Sequence, residues 1–182
     1  MKKTETPIKA RKGLVQIFTG DGKGKTTAAL GTALRALGHG LSVYVVVFMK
    51  GDYPYGEWEA LKTFPKATIK RFGFLDFTDP RNVKPEEKEQ AEKALQTARE
   101  AVLSGKYDLV ILDEVNIASA WKLVDIEKVA ELIKARPPQV ELILTGRFAD
   151  QNLIDLADLV TECKKVKHPY DGGTTAREGI EY

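Results

Sequence analysis

A glycine-rich segment near the start of the chain holds the residues whose types and spacing best suit a chemical task. Its glycines let backbone N–H groups converge on a phosphate, Lys25 adds a positive charge, and the Thr26 hydroxyl can ligate Mg²⁺ or Mn²⁺. Because a β-rich apolar run precedes the segment and a helical pattern follows it, we interpret it as a Walker A loop that binds ATP. The predicted ATP contacts here are Thr19, Gly20, Asp21, Gly22, Lys23, Gly24, Lys25, Thr26 and Thr27.

The spacing of this loop departs from the usual Walker A motif in one respect. The first glycine of the motif would fall at position 19, but the chain has Thr19 there and the glycine follows at Gly20. We therefore expect a loop that is one residue tighter than usual. Ordinary transfer of the γ-phosphoryl group is correspondingly less expected than the Lys25 and Thr26 pair alone would suggest.

Two acidic residues follow an apolar run further along the chain and have the pattern of a Walker B element. Asp113 and Glu114 come directly after Leu112, where Asp113 could hold the metal through water and Glu114 could support it or activate water. The alternative is an acidic pair that merely ends a buried strand. On the first interpretation the metal site is Thr26, Asp113 and Glu114, and the catalytic residues are Lys25, Thr26 and Glu114.

Arg147 closes the next apolar run, after Thr145 and Gly146. Since the ends of parallel strands meet at one edge of a sheet, its guanidinium could bind the nucleotide or an anionic group of a substrate. A surface salt bridge is the equally ordinary alternative.

Aromatic residues cluster between positions 53 and 77 with little helical periodicity, which favours a loop region. They could line a wall for a large planar ligand, or they could fill a small subsidiary core. The cluster consists of Tyr53, Tyr55, Trp58, Phe64, Phe72, Phe74 and Phe77.

The surrounding pattern alternates strands with helices, as these motifs require. Apolar runs predict strands at 14–19, 43–48, 108–112 and 140–144, with an edge strand at 159–163. Helical spacing predicts helices at 25–37, 85–103, from about Leu123 to Arg136, and near 152–157. The expected fold is α/β, a P-loop (RecA-like) doubly wound and mainly parallel sheet with helices on both faces. The ligand is expected at the carboxyl ends of the strands.

Composition bounds the class of protein. A chain of 182 residues, 43% hydrophobic, suits one domain, which we place at residues 14–182 after a flexible basic arm at 1–13. A net charge of +2 provides no large field for nucleic acid. Cys163 has no second cysteine to pair with, so a reducing compartment such as the cytoplasm is expected. The longest apolar run, residues 41–49, is far shorter than the roughly 20 residues of a membrane span.

Taken together, these motifs resemble the P-loop branch of the ATP:corrinoid adenosyltransferase family. The shortened phosphate loop, the Thr145-Gly146-Arg147 element and the Val166-Lys167-His168 segment are more specific to that family than the phosphate loop alone. The matching segments are 18–29, 50–51, 56–57, 112–114, 144–147, 155–158, 166–168 and 179–182.

The resemblance implies transfer of the 5′-deoxyadenosyl group of ATP to Co(I) of a corrinoid, with release of triphosphate. It implies that ATP lies reversed along the loop, so that the ribose 5′ carbon faces the corrinoid and no protein nucleophile is needed. It also implies a homodimer and an electron-donating flavoprotein partner. Relatives place a Gly-Phe-x-Trp segment under the corrin ring; here Phe74 and Phe77 are the expected corrinoid contacts, and Asp76 stands at the tryptophan position.

Two other functions are compatible with the phosphate loop. A P-loop ATPase or phosphotransferase would act at the γ-phosphate with Glu114 as base and would produce ADP. A non-catalytic ATP-binding module would bind ATP without turnover.

Overall fold

Six parallel strands form one sheet in the computed structural model, which describes residues 12–51, 53–76 and 78–182. The order across the sheet is β3-β2-β4-β5-β1-β6, and every pairing is parallel. The strands are β1 Val15–Thr19, β2 Val43–Val47, β3 Ala67–Arg71, β4 Leu109–Asp113, β5 Glu141–Thr145 and β6 Leu159–Glu162. Because all strands run the same way, their carboxyl ends meet at one edge.

Helices cover both faces of this sheet. Among the described residues, two helices pack on one face and four on the other, and a short 3₁₀ turn spans Pro169–Gly172. On the first face lie α1 Lys25–Gly38 and α2 Gly56–Lys62; on the second lie α3 Pro85–Leu103, α4 Val115–Ala120, α5 Ile126–Ala135 and α6 Gln151–Leu156. The predicted doubly wound α/β class is therefore confirmed. Within the described part of the chain, none of these helices combines the length and the apolar character that a membrane span needs.

The central strands are apolar except at their ends because helices bury them on both sides. In β4, Val110 and Leu112 pack into the core under α3 and α5, whereas Leu109 and Ile111 pack into the core under α1. All five residues of β4 are buried. This two-sided burial explains why these strands could be recognised as continuous apolar runs.

Most predicted elements are confirmed to within a few residues, and α3 has the predicted bounds. The helix predicted from Leu123 starts later, because the Asp125 carboxylate accepts a hydrogen bond from the backbone N–H of Glu127 at 3.0 Å and caps α5. The segment before it, at 115–120, forms the separate helix α4, which the periodicity did not reveal.

The prediction of a loop between positions 53 and 77 was wrong in part, because this stretch contains α2 and β3. Helix α2 has only seven residues, too short for a periodic signal. Strand β3 is an edge strand whose residues are only partly buried and include Lys70 and Arg71. A short helix and a polar edge strand both lack the apolar pattern on which the prediction relied.

Of the arm predicted at 1–13, residues 1–11 lie outside the described part of the chain. The backbone N–H of Gly13 donates to the carbonyl of Pro138 at 2.8 Å, and Gly13 is buried.

Trp58 is the largest fully buried side chain, and its replacement tests the core beneath α2. We expect Trp58→Ala to lower the free energy of unfolding by about 3–5 kcal/mol, measured by denaturant titration, through lost burial and an unfilled cavity. Trp58→Phe should cost less, since the indole Nε1 has no hydrogen-bond acceptor among the described residues. Phe148→Ala, at a residue 62% exposed, should change stability by no more than about 0.5 kcal/mol; equal losses at both positions would contradict this account.

Candidate functional site

The carboxyl edge of the sheet brings together the polar residues that follow four strands. The phosphate loop follows β1, Lys50 follows β2, Asp113 and Glu114 end β4, and Arg147 follows β5. The sequence-predicted residues of the two motifs are thus neighbours in space. This edge is the expected ligand position in an open parallel sheet.

Backbone contacts brace the phosphate loop from the side of β6. Gly20 has a φ of 98°, and a Cβ atom there would lie 2.6 Å from the carbonyl oxygen of Cys163. The N–H of Gly22 donates to that same carbonyl at 2.6 Å, and the N–H of Cys163 donates to Thr19 at 2.7 Å. Gly24, with a φ of 118°, starts α1. The glycine pattern therefore serves close packing as well as access to a ligand.

The polar side chains of the loop have different surroundings. The ammonium of Lys25 donates to the carbonyl of Gly22 at 2.6 Å, and burial lowers the pKa of this lysine. The Asp21 carboxylate accepts a hydrogen bond from the backbone N–H of Lys165 at 3.0 Å, which lowers the pKa of Asp21. The Thr19 hydroxyl accepts one from the N–H of Ala149 at 3.2 Å. Asp21 and Thr19 therefore also tie the loop to its neighbours.

The buried carboxylate of Asp113 joins three elements. Its Oδ1 accepts hydrogen bonds from the hydroxyls of Thr26 at 2.8 Å and Thr145 at 2.7 Å. Its Oδ2 accepts one from the ammonium of Lys50 at 2.9 Å. The N–H of Glu114 in turn donates to Thr145 at 3.0 Å. Asp113 thus connects the phosphate loop helix with the ends of β2, β4 and β5.

Lys50 is a site residue to which the motifs assigned no role, although it lies in the matching segment 50–51. Its ammonium also lies 3.1 Å from the carboxylate of Glu114. Burial opposes its charge, but the negative charges of Asp113 and Glu114 outweigh that effect and raise the pKa of Lys50. Its place directly after an apolar strand, matching the position of Asp113 after β4, is the sequence signal that could have identified it.

Glu114 adopts a left-handed backbone conformation with a φ of 65° at the start of α4. Gly146 lies against it: a Cβ atom at Gly146 would be 3.2 Å from Glu114 Oε2 and 3.0 Å from the N–H of Ile117. The glycine between Thr145 and Arg147 therefore allows the backbone of α4 to approach closely and leaves room beside the Glu114 carboxylate.

Two cavities of about 680 Å³ each open on either side of the lysines. One, the helix-side cavity, lies along the start of α1 and α2; the other, the aromatic cavity, lies beyond β2 and β4. Both are bordered by Lys25, Lys50 and Glu114. A ligand bound at the lysines can therefore extend into either cavity.

The aromatic residues divide between core and cavity, and the wall for a planar ligand stays a prediction for those that line the cavity. Trp58 is fully buried, and Phe64 and Phe72 pack against the cores. Phe74 is 46% exposed and lines the aromatic cavity with Tyr53, Tyr55, Asp76, Trp121 and Phe148. Phe77 lies outside the described residues.

Arg147 also lines the aromatic cavity. Its side chain is exposed, and within the described part of the chain it forms no ion pair. The salt-bridge alternative for Arg147 therefore finds no partner among the described residues, and binding of an anionic group by its guanidinium stays a prediction.

The C-terminal segment borders the site, which the motif analysis did not predict. The ammonium of Lys23 pairs with the Glu181 carboxylate at 2.9 Å, and Arg177 donates two side-chain hydrogen bonds to that carboxylate. Hydrogen bonds from Arg177 and then Lys23 lower the pKa of Glu181. The ring of Tyr182 stacks edge-on against Tyr53 at 5.5 Å. The glycine and aromatic residues at 179–182 are the only local signal for this contact.

The phosphate loop lies at the carboxyl edge of a parallel sheet and faces a carboxylate at the end of β4. This arrangement is typical of a nucleotide-binding α/β protein of the P-loop type. Comparison with known proteins narrows this class. The family described as ATP:corrinoid adenosyltransferase BtuR/CobO/CobP matches residues 11–182, so the chain belongs to that family and is a transferase.

Individual relatives agree with this assignment. The chain is 37% identical over 171 residues to the corrinoid adenosyltransferase of Escherichia coli, covering 94% of this chain and 86% of the relative. The values are the same for corrinoid adenosyltransferase CobA of Salmonella typhimurium. For the corrinoid adenosyltransferase of Pseudomonas aeruginosa, identity is 35% over 171 residues, covering 94% and 84% of the two chains.

Thr145 offers a test of the network around Asp113, because it is fully buried and donates one hydrogen bond while accepting another. We expect Thr145→Val to lower the free energy of unfolding by about 1–3 kcal/mol, since the Asp113 carboxylate loses a donor and the N–H of Glu114 loses its acceptor. Thr63→Val, at an exposed helix end, is the control and should change it by no more than about 0.5 kcal/mol. Denaturant titration measures both, and a Thr145 variant as stable as its control would refute the network's contribution.

Proposed function

We propose that the chain transfers the 5′-deoxyadenosyl group of ATP to Co(I) of a corrinoid and releases triphosphate. The observation that carries the proposal is the placement of Lys25 and Lys50 where the two cavities meet. A polyphosphate bound in the loop would leave the rest of the nucleotide at the wall of the aromatic cavity. That cavity is bordered by Phe74, Trp121 and Phe148, which suits a large, partly apolar second substrate.

The reaction is a displacement at carbon. The Co(I) electron pair forms the bond to the ribose 5′ carbon while the bond from that carbon to the α-phosphate oxygen breaks, and this bond's electron pair leaves on triphosphate. Both reacting atoms belong to substrates, so the protein contributes positioning and charge stabilisation. The loop N–H groups and the Lys25 ammonium are the groups that would stabilise the departing triphosphate.

The residues proposed for the metal fit a hard cation. Thr26, Asp113 and Glu114 supply hydroxyl and carboxylate oxygens, the ligands that Mg²⁺ prefers, and Thr26 lies 2.8 Å from Asp113. Bound Mg²⁺ or Mn²⁺ would neutralise charge on the triphosphate. Since Asp113 already accepts hydrogen bonds from Thr26 and Thr145, its part would be to orient Thr26 and to act through water. Glu114 would be the second supporting carboxylate.

Phe74 is the proposed corrinoid contact on the aromatic side. Its ring is 46% exposed at the cavity wall, and Asp76, which stands where relatives have tryptophan, lines the same cavity. An apolar surface that displaces the lower axial ligand of cobalt would make Co(II) easier to reduce. The corresponding role of Phe77 stays a prediction.

We also propose, from the resemblance to the family, a cytoplasmic homodimer that receives its electron from a flavoprotein. The lone cysteine and the small net charge of the chain are compatible with that compartment.

Lys25→Ala tests the phosphate loop. With chemically reduced cob(I)alamin and Mg²⁺-ATP under anaerobic conditions, wild type should form adenosylcobalamin and triphosphate, followed by corrinoid absorbance and phosphate analysis. In Lys25→Ala the rate of adenosylcobalamin formation should fall at least about a hundredfold, because the leaving triphosphate loses a positioned positive charge. Lys62→Ala, which removes an exposed lysine paired with Glu59, should keep the full rate. Near-normal turnover by Lys25→Ala would remove the loop from the mechanism, and ADP as product would indicate γ-phosphate chemistry.

Phe74→Ala tests the corrinoid contact. The variant should react from enzymatically reduced cob(II)alamin much more slowly than wild type, yet lose little rate with prereduced cob(I)alamin, because only the first reaction needs the lower ligand displaced. Phe148→Ala removes another exposed ring of the same cavity and should affect both reactions alike. Equal losses for Phe74→Ala in the two assays would argue against displacement of the ligand.

A further inference from the structure

The ammonium of Lys50 lies among the oxygens proposed for the divalent cation. It is 2.9 Å from Asp113 Oδ2 and 3.1 Å from Glu114 Oε1. The third oxygen, Thr26 Oγ1, accepts a hydrogen bond from it at 3.4 Å. All three proposed metal residues therefore already share one positive charge, which the protein itself supplies.

The protein alone offers few further ligands for a cation at this place. Among the described residues there is no group of three or more acidic, histidine or cysteine side chains suited to a metal. Mg²⁺ prefers six oxygens, so most of them would come from water and from the triphosphate. A cation arriving without nucleotide would meet two carboxylates whose combined charge Lys50 already offsets by one unit.

We propose that Lys50 excludes free divalent cations from the Asp113–Glu114 pair, so that the metal enters only together with the triphosphate. The inference rests on the metal residues named under the proposed function. A divalent cation held by these carboxylates would lie close to the Lys50 ammonium. Positive charges at such short range repel strongly where water is partly excluded. The negative triphosphate would relieve the repulsion, because Lys50 borders both cavities and can turn its ammonium toward phosphate oxygens. Lys50 is thus a positioning residue.

Mn²⁺ binding in the absence of nucleotide tests this proposal. The electron paramagnetic resonance signal of free Mn²⁺ reports how much cation the protein takes up. Wild type should bind Mn²⁺ only weakly, whereas Lys50→Met, which keeps the length of the side chain but removes its charge, should bind it at least about tenfold more tightly. Lys50→Arg, which keeps the charge, should remain as weak as wild type.

Two further variants locate the effect. Adding Glu114→Gln to Lys50→Met should abolish the gained affinity, and Lys62→Met, at an exposed lysine, should leave Mn²⁺ binding as in wild type. Circular dichroism confirms that each variant is folded, and Lys50→Gln replaces Lys50→Met if the latter does not fold. Tight Mn²⁺ binding by wild type, or a folded uncharged variant that gains no affinity, would overturn the proposal. Because the assay contains neither ATP nor corrinoid, its result is independent of whether adenosyl transfer occurs.

Discussion

The hydrogen bonds to the buried carboxylate of Asp113 connect everything else in the site. A carboxylate fully withdrawn from water costs several kcal/mol unless its oxygens are satisfied, and here Thr26, Thr145 and Lys50 satisfy them. Each donor comes from a different element, so the cost of burying one charge is offset only when α1, β5 and the end of β2 are all in place. The stability of the fold and the geometry of the site therefore depend on the same contacts.

The phosphate loop is fixed from its other side mainly by backbone contacts, to which the Asp21 carboxylate adds a hydrogen bond from the N–H of Lys165. Gly20 and Gly22 lie so close to the carbonyl of Cys163 that a side chain at either position would clash. The segment directly after β6 thus takes part in the site through its backbone. It also leads into the C-terminal turn, whose Glu181 pairs with Lys23, so that the edge strand β6 positions both the loop and the segment that borders it.

The sequence allowed the central strands, α1, α3 and the two phosphate-site motifs to be predicted, because each has a local signal. Two-sided burial makes β2, β4 and β5 continuously apolar, and the loop glycines have fixed spacing. The contacts that escaped prediction are those between residues far apart in the chain. Lys50 reaches Asp113 and Glu114 only because β2 pairs with β4 in parallel. Glu181 reaches Lys23 only because the C-terminal segment folds back onto the phosphate loop. Helix α2 and strand β3 escaped because one is short and the other is a polar edge.

The distribution of charge in the site suits a displacement between two substrates better than an attack by the protein. Lys25 and the ion-paired Lys50 lie where the two cavities join, which is where we propose that a polyphosphate leaving group is stabilised. Aromatic side chains, among them Phe74, Trp121 and Phe148, form part of the wall of the aromatic cavity beyond the lysines. On the proposed function, an enzyme with such a site would hold the leaving group at the lysines and leave the aromatic cavity open to a bulky nucleophile. Its rate would then depend on how well the loop orients the nucleotide, which is the task for which Asp113 and the Cys163 carbonyl fix the loop from both sides.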